Sequence, residues 1–105
     1  MKASRPFHDT LMKLLKDPRE ASSYLNAAFE EGDRRVFQEA LREVAEASGG
    51  ITSLARRAKL HRVNLYRILS KNGNPEIQSL ENILKVFGLR LAVVELKPTK
   101  LPKAA

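Results

Sequence analysis

Apolar residues recur at three- and four-residue spacing along most of the chain, which is the pattern of helices that bury one face. These stripes occupy residues 7–31, 33–48 and 75–87, and a glycine follows each of them. Glycine commonly ends helices because it adopts the left-handed backbone that the last turn requires. The pattern therefore predicts N-terminal helices within 7–31 and single helices over 33–48 and 75–87.

Helix starts can be placed more closely from the capping residues. Asp17 precedes Pro18, an order typical of an N-cap followed by the first helical position. Asp33 is placed to cap the helix over 33–48. Asn74 and Pro75 repeat the same order before the helix over 75–87, so we expect Asn74 to cap it.

The segment from 89 to 96 has few polar residues and includes Val93 and Val94, which favour a β-strand. Because a lone strand leaves backbone donors and acceptors unpaired, its expected partner is the same strand of a second copy. An irregular arm packed on the helices is the alternative. The last residues, 97–105, carry three lysines and two prolines and are expected to form a disordered basic tail.

Residues 51–70 read as two short helices joined by a tight bend. Apolar or small residues fill each position that must point into the corner of a helix-turn-helix unit, namely Leu54, Ala55, Ala58, Leu60, Leu65 and Ile68. The bend carries Lys59 where glycine is usual, and a left-handed backbone there costs a lysine about 1 kcal/mol. The sequence thus predicts an all-α, five-helix fold containing a helix-turn-helix, with a short C-terminal β-strand paired across a dimer.

Composition narrows the class of protein. The 105 residues have room for one domain, assigned to 1–96, and contain no cysteine, which excludes disulfides and cysteine–zinc sites. No apolar run reaches the roughly 18 residues of a membrane span, and no signal peptide is recognisable. No metal site, cofactor site or catalytic residue is predicted. Only two histidines occur, in different units, and no nucleophile–base pair or phosphate loop is found, so we expect no enzyme.

Positive charge is concentrated in one stretch. The chain has 19 basic and 12 acidic residues, a net charge of +7. Residues 49–75 hold six basic residues and no acidic one, whereas residues 1–33 have a net charge of −1. Chance clustering is the simple alternative, but coincidence with the helix-turn-helix favours a surface that binds phosphates.

The second helix of such a unit enters the major groove of DNA with its N-terminal residues leading. Arg62 is suited to a bidentate contact with guanine, and Asn64 to the same contact with adenine. Val63 is placed to lie against a thymine methyl group. Tyr66 and Arg67 lie farther along the helix and are predicted to contact phosphates.

The remaining predicted DNA contacts flank that helix. Thr52 and Ser53 open the first helix, where hydroxyl and backbone N–H groups suit a phosphate oxygen, although Thr52 could instead be a plain N-cap. His61 is either a DNA contact or the cap of the second helix. Lys59 is either beside the DNA backbone or a solvated turn residue. Arg56 in the first helix is predicted to contact the DNA backbone without reading sequence, and Lys71 is placed to reach the backbone beyond the second helix.

Five stretches, in one order, carry a family resemblance: YLNAAFEEGD at 24–33, LARRA at 54–58, NLYRILS at 64–70, GNP at 73–75 and LKVFGLRL at 84–91. With them the chain resembles addiction-module antidote proteins, a HigA-like group of lambda-repressor-type (Xre/Cro) helix-turn-helix antitoxins from bacterial type II toxin–antitoxin modules. The resemblance covers about residues 8–94. It departs at Lys59, where glycine is usual, and at His61, which replaces the usual serine.

The resemblance implies a bacterial, cytoplasmic protein that is associated with the nucleoid through DNA. It implies a homodimer that represses its own operon and neutralises a RelE/ParE-like toxin, a small basic protein, by complex formation. The acidic segment 1–33 is a candidate surface for that toxin. A stand-alone repressor without a toxin partner is the main alternative. RNA binding is disfavoured because Tyr66 is the single aromatic residue in the basic stretch.

Overall fold

The computed structural model describes residues 5–96, with side chains from residue 7 onward. Six helices follow one another over this range: α1 (Arg5–Leu14), α2 (Pro18–Glu30), α3 (Arg34–Ala47), α4 (Ile51–Ala58), α5 (Arg62–Ile68) and α6 (Ile77–Val86). The described part of the chain is therefore all-helical, as the apolar periodicity predicts. The tail predicted for 97–105 lies outside the described residues.

Six helices are present over this range where the predicted fold has five, because the N-terminal stretch divides into two helices at Asp17. The side chain of Asp17 accepts a hydrogen bond from the backbone N–H of Arg19 at 2.9 Å, and Pro18 stands at the first position of α2. A proline there has no N–H to continue the preceding helix, and its fixed φ suits a new one. The predicted start of a helix at Asp17 and Pro18 is thus confirmed.

Asp33 caps α3 as predicted, since its Oδ1 accepts a hydrogen bond from the backbone N–H of Arg35 at 2.9 Å. This bond, followed by the contact with the Arg35 guanidinium, holds the pKa of Asp33 below its usual range. Asn74 does not cap α6. That helix begins two residues beyond Pro75, after Glu76, and the side chain of Asn74 accepts a hydrogen bond from Arg34 instead.

The core gathers around α3, which packs against α1, α2 and α4, while α4 packs against α5 and α6. The largest side chains with almost no solvent exposure come from four of these helices and the turn after α5: Gln38, Leu41, Val44, Leu54, Leu65, Leu69 and Ile83. Gln38 is the polar member of this set, and its hydrogen bonds fix the end of α5, as described below. No helix within residues 5–96 is long and apolar enough to cross a lipid bilayer.

The predicted strand over 89–96 is not present, because these residues form neither helix nor strand. The N–H of Leu89 bonds to the carbonyl of Leu84 at 2.8 Å, and beyond it the segment runs exposed, with Val93 and Val94 open to solvent. A strand needs a second strand for its backbone hydrogen bonds, and the single chain provides none within 5–96. The β-strand propensity of this segment is therefore not sufficient by itself to form a strand.

Candidate nucleic-acid interface

The bend between α4 and α5 is tight. Lys59 adopts left-handed backbone angles, φ 59° and ψ 44°, and the N–H of Leu60 bonds back to the carbonyl of Ala55 at 2.9 Å. The chain thereby leaves α4 within three residues and begins α5 at Arg62. The left-handed turn expected from the sequence is confirmed, and lysine tolerates it at a cost of about 1 kcal/mol relative to glycine.

The inner residues of the two helices divide from the outer ones as the spacing predicts. Six residues were expected to face the corner. Leu60 is half-buried, and the other five are buried, namely Leu54, Ala55, Ala58, Leu65 and Ile68. Leu69, just after α5, is also buried. These contacts hold α5 against α4, so the remaining side chains of α5 are left facing solvent.

The residues predicted to bind DNA are accessible. Exposed among them are Thr52, Arg56, Lys59, His61, Arg62, Val63, Tyr66, Arg67 and Lys71, while Ser53 and Asn64 are half-buried. Val63 and Tyr66 expose 66% and 54% of their surface, a large apolar area for a short helix that has no packing partner on that side. An exposed apolar and basic helix surface of this kind is typical of an interface.

The first turn of α4 lacks a side-chain cap. Gly50, with φ 93°, stands at the N-cap position, and no side chain bonds to the helix start. Thr52 is therefore not the N-cap, which was the alternative to its role as a phosphate ligand. The first backbone N–H groups of a helix have no partner within it, so those near Thr52 and Ser53 remain available to an anion.

His61 stands at the N-cap position of α5 with an extended backbone, but its side chain makes no capping hydrogen bond. Farther along α5, the Oδ1 of Asn64 accepts a long hydrogen bond from Nη1 of Arg67, at 3.5 Å. A bidentate contact with adenine uses both Oδ1 and Nδ2 of asparagine. The bond to Arg67 uses one of the two acceptor positions of Oδ1 and leaves Nδ2 free, so it is compatible with that contact.

Two of the six basic residues between 49 and 75 lie apart from the outer surface of α5. Lys59 lines a cleft of about 390 Å³ with Asn82 and Lys85 of α6. Arg57 lines the same cleft, and its Nη1 donates to the carbonyl of Ser48 at 3.4 Å. The other four, namely Arg56, Arg62, Arg67 and Lys71, are exposed outside this cleft.

A row of donors on α3 holds the end of α5, and the sequence reasoning missed it. Arg34, Gln38 and Arg42 follow one another at four-residue spacing, and we call them the donor row. Nε2 of Gln38 donates to the carbonyl of Ile68 at 2.5 Å and to that of Ser70 at 2.8 Å. Nη1 of Arg42 donates to the carbonyl of Leu69 at 2.7 Å.

The third member of the donor row reaches the loop after α5. Nη1 of Arg34 contacts Asn74 Oδ1 at 3.1 Å and the Gly73 carbonyl at 3.4 Å. Gly73 has room for no side chain, since a Cβ there would lie 2.0 Å from the carbonyl oxygen of Ile68. The donor row thus satisfies carbonyls that the end of a helix leaves unpaired and fixes α5 relative to α3. The signal in the sequence is the four-residue spacing of polar side chains on one line of α3.

Comparison with known proteins identifies the family of this chain. Residues 9–95 match the family model described as probable addiction module antidote protein. The chain is also 30% identical to an uncharacterized protein of Haemophilus influenzae over 79 residues, which cover 75% of this chain and 80% of that protein. No solved structure matches the chain significantly. The protein therefore belongs to the family of probable addiction module antidote proteins.

Proposed function

We propose that this chain is the antitoxin of a type II toxin–antitoxin module that represses its own operon by binding operator DNA through α4 and α5. Membership of the antidote family supports the antitoxin role. DNA binding is supported by one observation above all. The outer surface of a helix-turn-helix corner carries Arg56, Arg62, Arg67 and Lys71, and residues 49–75 contain no carboxylate that could repel phosphates.

Base recognition is assigned to the first part of α5. Arg62 reads guanine through its two parallel donors, and Val63 lies against a thymine methyl group. Asn64 reads adenine, and Arg67 binds a phosphate beside Tyr66. The Arg67 guanidinium has five N–H donors, so it can contact a phosphate while it keeps its hydrogen bond to Asn64.

Positioning on the DNA backbone is assigned to the first helix of the unit and to the flanks of the second. Thr52 and Ser53 offer hydroxyl and N–H groups at the start of α4, and Arg56 lies one turn farther on. His61 and Lys71 stand immediately before and shortly after α5. Phosphate contacts of this kind fix the register of the protein without reading sequence.

The DNA assignment is tested with fluorescent operator DNA taken from the promoter of this gene. Arg62→Ala is expected to cost about 1–3 kcal/mol on the operator and to relax sequence choice. Arg56→Ala is expected to weaken all DNA about equally and to lower the salt slope by about 1. Arg57→Ala is the matched control, since it removes the same charge from the cleft against α6. Unchanged affinity and selectivity of Arg62→Ala would overturn the assignment.

We propose that the chain neutralises a toxin of the RelE/ParE type by binding it, without catalysing a reaction. The family implies a toxin partner in general. Co-expression with the product of the adjacent open reading frame, followed by co-purification, tests this directly. A stand-alone repressor, which is the alternative, would bind operator DNA but no neighbouring gene product. The proposed site of action is bacterial operator DNA, hence the nucleoid in the cytoplasm.

We also propose that the protein acts as a homodimer joined through residues 89–96. This segment exposes four apolar side chains, those of Leu91, Val93, Val94 and Leu96, and it is not paired within 5–96. Pairing with the same segment of a second copy would form a two-stranded sheet and cover these side chains.

Light scattering on full-length variants tests the dimer. A double substitution, Val93→Asp with Val94→Asp, places a charge on each face of the segment and is expected to give a monomer. Ile77→Asp is the matched control, because Ile77 is 70% exposed on α6, away from the segment. A double variant that remained dimeric would place the interface elsewhere.

A further inference from the structure

A groove with an apolar floor runs between α2 and α3. Its floor is formed by Ala27 and Ala28 of α2 and by Val36 and Ala40 of α3. The groove encloses about 270 Å³, room for one or two side chains of a partner. The small alanine side chains keep the floor open, and Val36 leaves 39% of its surface uncovered.

Carboxylates form the rim of this groove. Glu31, just after α2, and Glu39 and Glu43 of α3 line it, and no lysine or arginine does. Tyr24 also lines it and donates its hydroxyl to Oε1 of Glu43 at 2.5 Å. Burial, followed by the hydrogen bond to Glu43, raises the pKa of Tyr24, so the phenol remains a donor at physiological pH.

These carboxylates have no cation to balance them within the described residues. Among them, Arg35 forms an ion pair with Asp33 and His8 forms a hydrogen bond with Glu46, and neither contact involves the groove. Like charges that share one groove repel each other, and the apolar floor remains in contact with water, and both effects cost free energy. A ligand that brings both positive charge and an apolar side chain relieves both costs. The whole chain has a net charge of +7, so this rim contrasts with the rest of the molecule.

We propose that the groove is the docking site for the basic toxin, an inference that rests on the proposed antitoxin function. Lysine or arginine side chains of the toxin pair with Glu31, Glu39 and Glu43, while an apolar side chain covers Val36. Charge complementarity selects this occupant, because a rim of three carboxylates without lysine or arginine favours a partner surface that carries positive charge. Arginine suits such a rim best, since it can bind a carboxylate through two parallel hydrogen bonds.

The position of the groove leaves the DNA surface free. The rim residues Glu39 and Glu43 each follow Gln38 and Arg42, which contact the end of α5, and therefore lie about 100° around α3 from that pair. This site also refines the expectation for the acidic segment 1–33. Of its six carboxylates, Glu31 alone lines the groove, and the other two members of the rim come from α3.

Charge reversal at the rim tests the proposal with the full chain and the product of the adjacent open reading frame. Glu31→Lys with Glu39→Lys is expected to weaken toxin binding by at least about tenfold, because both residues are exposed and their substitution leaves the core intact. Glu20→Lys with Glu76→Lys, which changes the net charge equally at exposed positions outside the groove, is expected to change toxin binding less than about twofold. Val36→Ser tests the apolar floor without a change of charge and is expected to weaken binding severalfold.

Circular dichroism and operator binding are measured on the same proteins. The spectra are expected to match that of the parent chain, and the affinity for operator DNA is expected to equal or slightly exceed that of the parent chain. A rim variant that binds the toxin like the parent chain overturns the groove assignment, and so does an equal loss in the control pair. A rim variant that alters the oligomeric state while binding the toxin normally assigns the groove to a second copy, which also overturns it. If the parent chain itself binds no neighbouring gene product, the antitoxin proposal fails first.

Discussion

Lys59 holds a strained backbone in the tight bend between α4 and α5. It is the non-glycine residue with positive φ within residues 5–96. Because the Cβ of an L-residue clashes in this conformation, we expect Lys59→Gly to raise the free energy of unfolding by about 1 kcal/mol. Urea denaturation measures the change.

Lys59→Ala separates backbone strain from charge, since it removes the amine and keeps the Cβ. We expect this variant to show no comparable gain in stability. Equal stabilisation by alanine and glycine would mean that the lysine charge, and not the backbone, carries the cost. Operator binding by the two variants also decides whether Lys59 contacts DNA or only lines the cleft against α6.

Asp33 gives the start of α3 a pH dependence whose sign is fixed. Its hydrogen bond from the Arg35 backbone, and then the Arg35 side chain, lower the pKa of the folded protein relative to the unfolded chain. The cap therefore contributes its full stability above the unfolded pKa of about 3.9 and loses it as the pH falls through the lower folded pKa.

The difference in unfolding free energy between the parent chain and Asp33→Asn isolates this effect. Asparagine keeps an oxygen that accepts the capping hydrogen bond, but it does not titrate. We therefore expect the advantage of aspartate to shrink on acidification below about pH 4, as followed by thermal unfolding across a pH series. An advantage that stayed constant through this window would contradict the role given to the charged cap.

At the scale of the element, α3 is the helix that connects the surfaces of the molecule. One side carries the donor row, which fixes the end of α5, and another side forms half of the groove with α2. Replacing Gln38 by leucine keeps the side-chain volume but leaves the Ile68 and Ser70 carbonyls without this donor. We expect a loss of about 1–3 kcal/mol in unfolding free energy, because buried acceptors without partners are costly.

Gln78→Leu is the control for this substitution, since Gln78 is exposed on α6 and bonds only to Asn82 at 3.0 Å. Its effect is expected to stay within about 0.5 kcal/mol. Hydrogen exchange adds a local readout, and faster exchange confined to the amides of α5 is expected for Gln38→Leu alone. An effect spread evenly over the core would indicate a packing defect and not a loosened α5.

The elements also explain which features the sequence could predict. Helices and the corner were predictable because amphipathic spacing, Asp17, Asp33 and the Lys59 turn act over a few neighbouring residues. The donor row was not, since Gln38 and Ile68 are 30 residues apart and either side chain could face solvent in a different packing. The strand over 89–96 was wrong for the single chain, because strand propensity is expressed only when a partner strand is present.

The candidate sites follow the same division. The outward set on α5 was predictable once the inner set was fixed by spacing, since the remaining positions of a helix must face elsewhere. The cleft position of Lys59 required the packing of α4 on α6. The acidic groove required two helices to lie side by side, since neither Glu31 nor Glu39 has a distinctive local pattern.

At the scale of the whole molecule, charge is divided between surfaces and not spread over the chain. Basic residues dominate the outer surface of α4 and α5, while carboxylates line the groove between α2 and α3. The basic surface that we propose for DNA and the acidic groove that we propose for the toxin are therefore separate. The net charge of +7 conceals this division.

A dimer built from two such molecules makes a geometric prediction about the operator. If the 89–96 segments pair about a two-fold axis, two copies of α5 reach successive major grooves on one face of the DNA, about 34–36 Å apart. Inserting five base pairs between the half-sites turns one of them to the opposite face while keeping both sequences intact. We expect this insertion to reduce affinity to that of a single half-site, as measured by fluorescence anisotropy.

The monomeric Val93→Asp, Val94→Asp variant should bind both DNAs alike, because it has no fixed spacing to satisfy. Equal binding of the two DNAs by the parent chain would mean that its recognition helices are not held in a rigid pair.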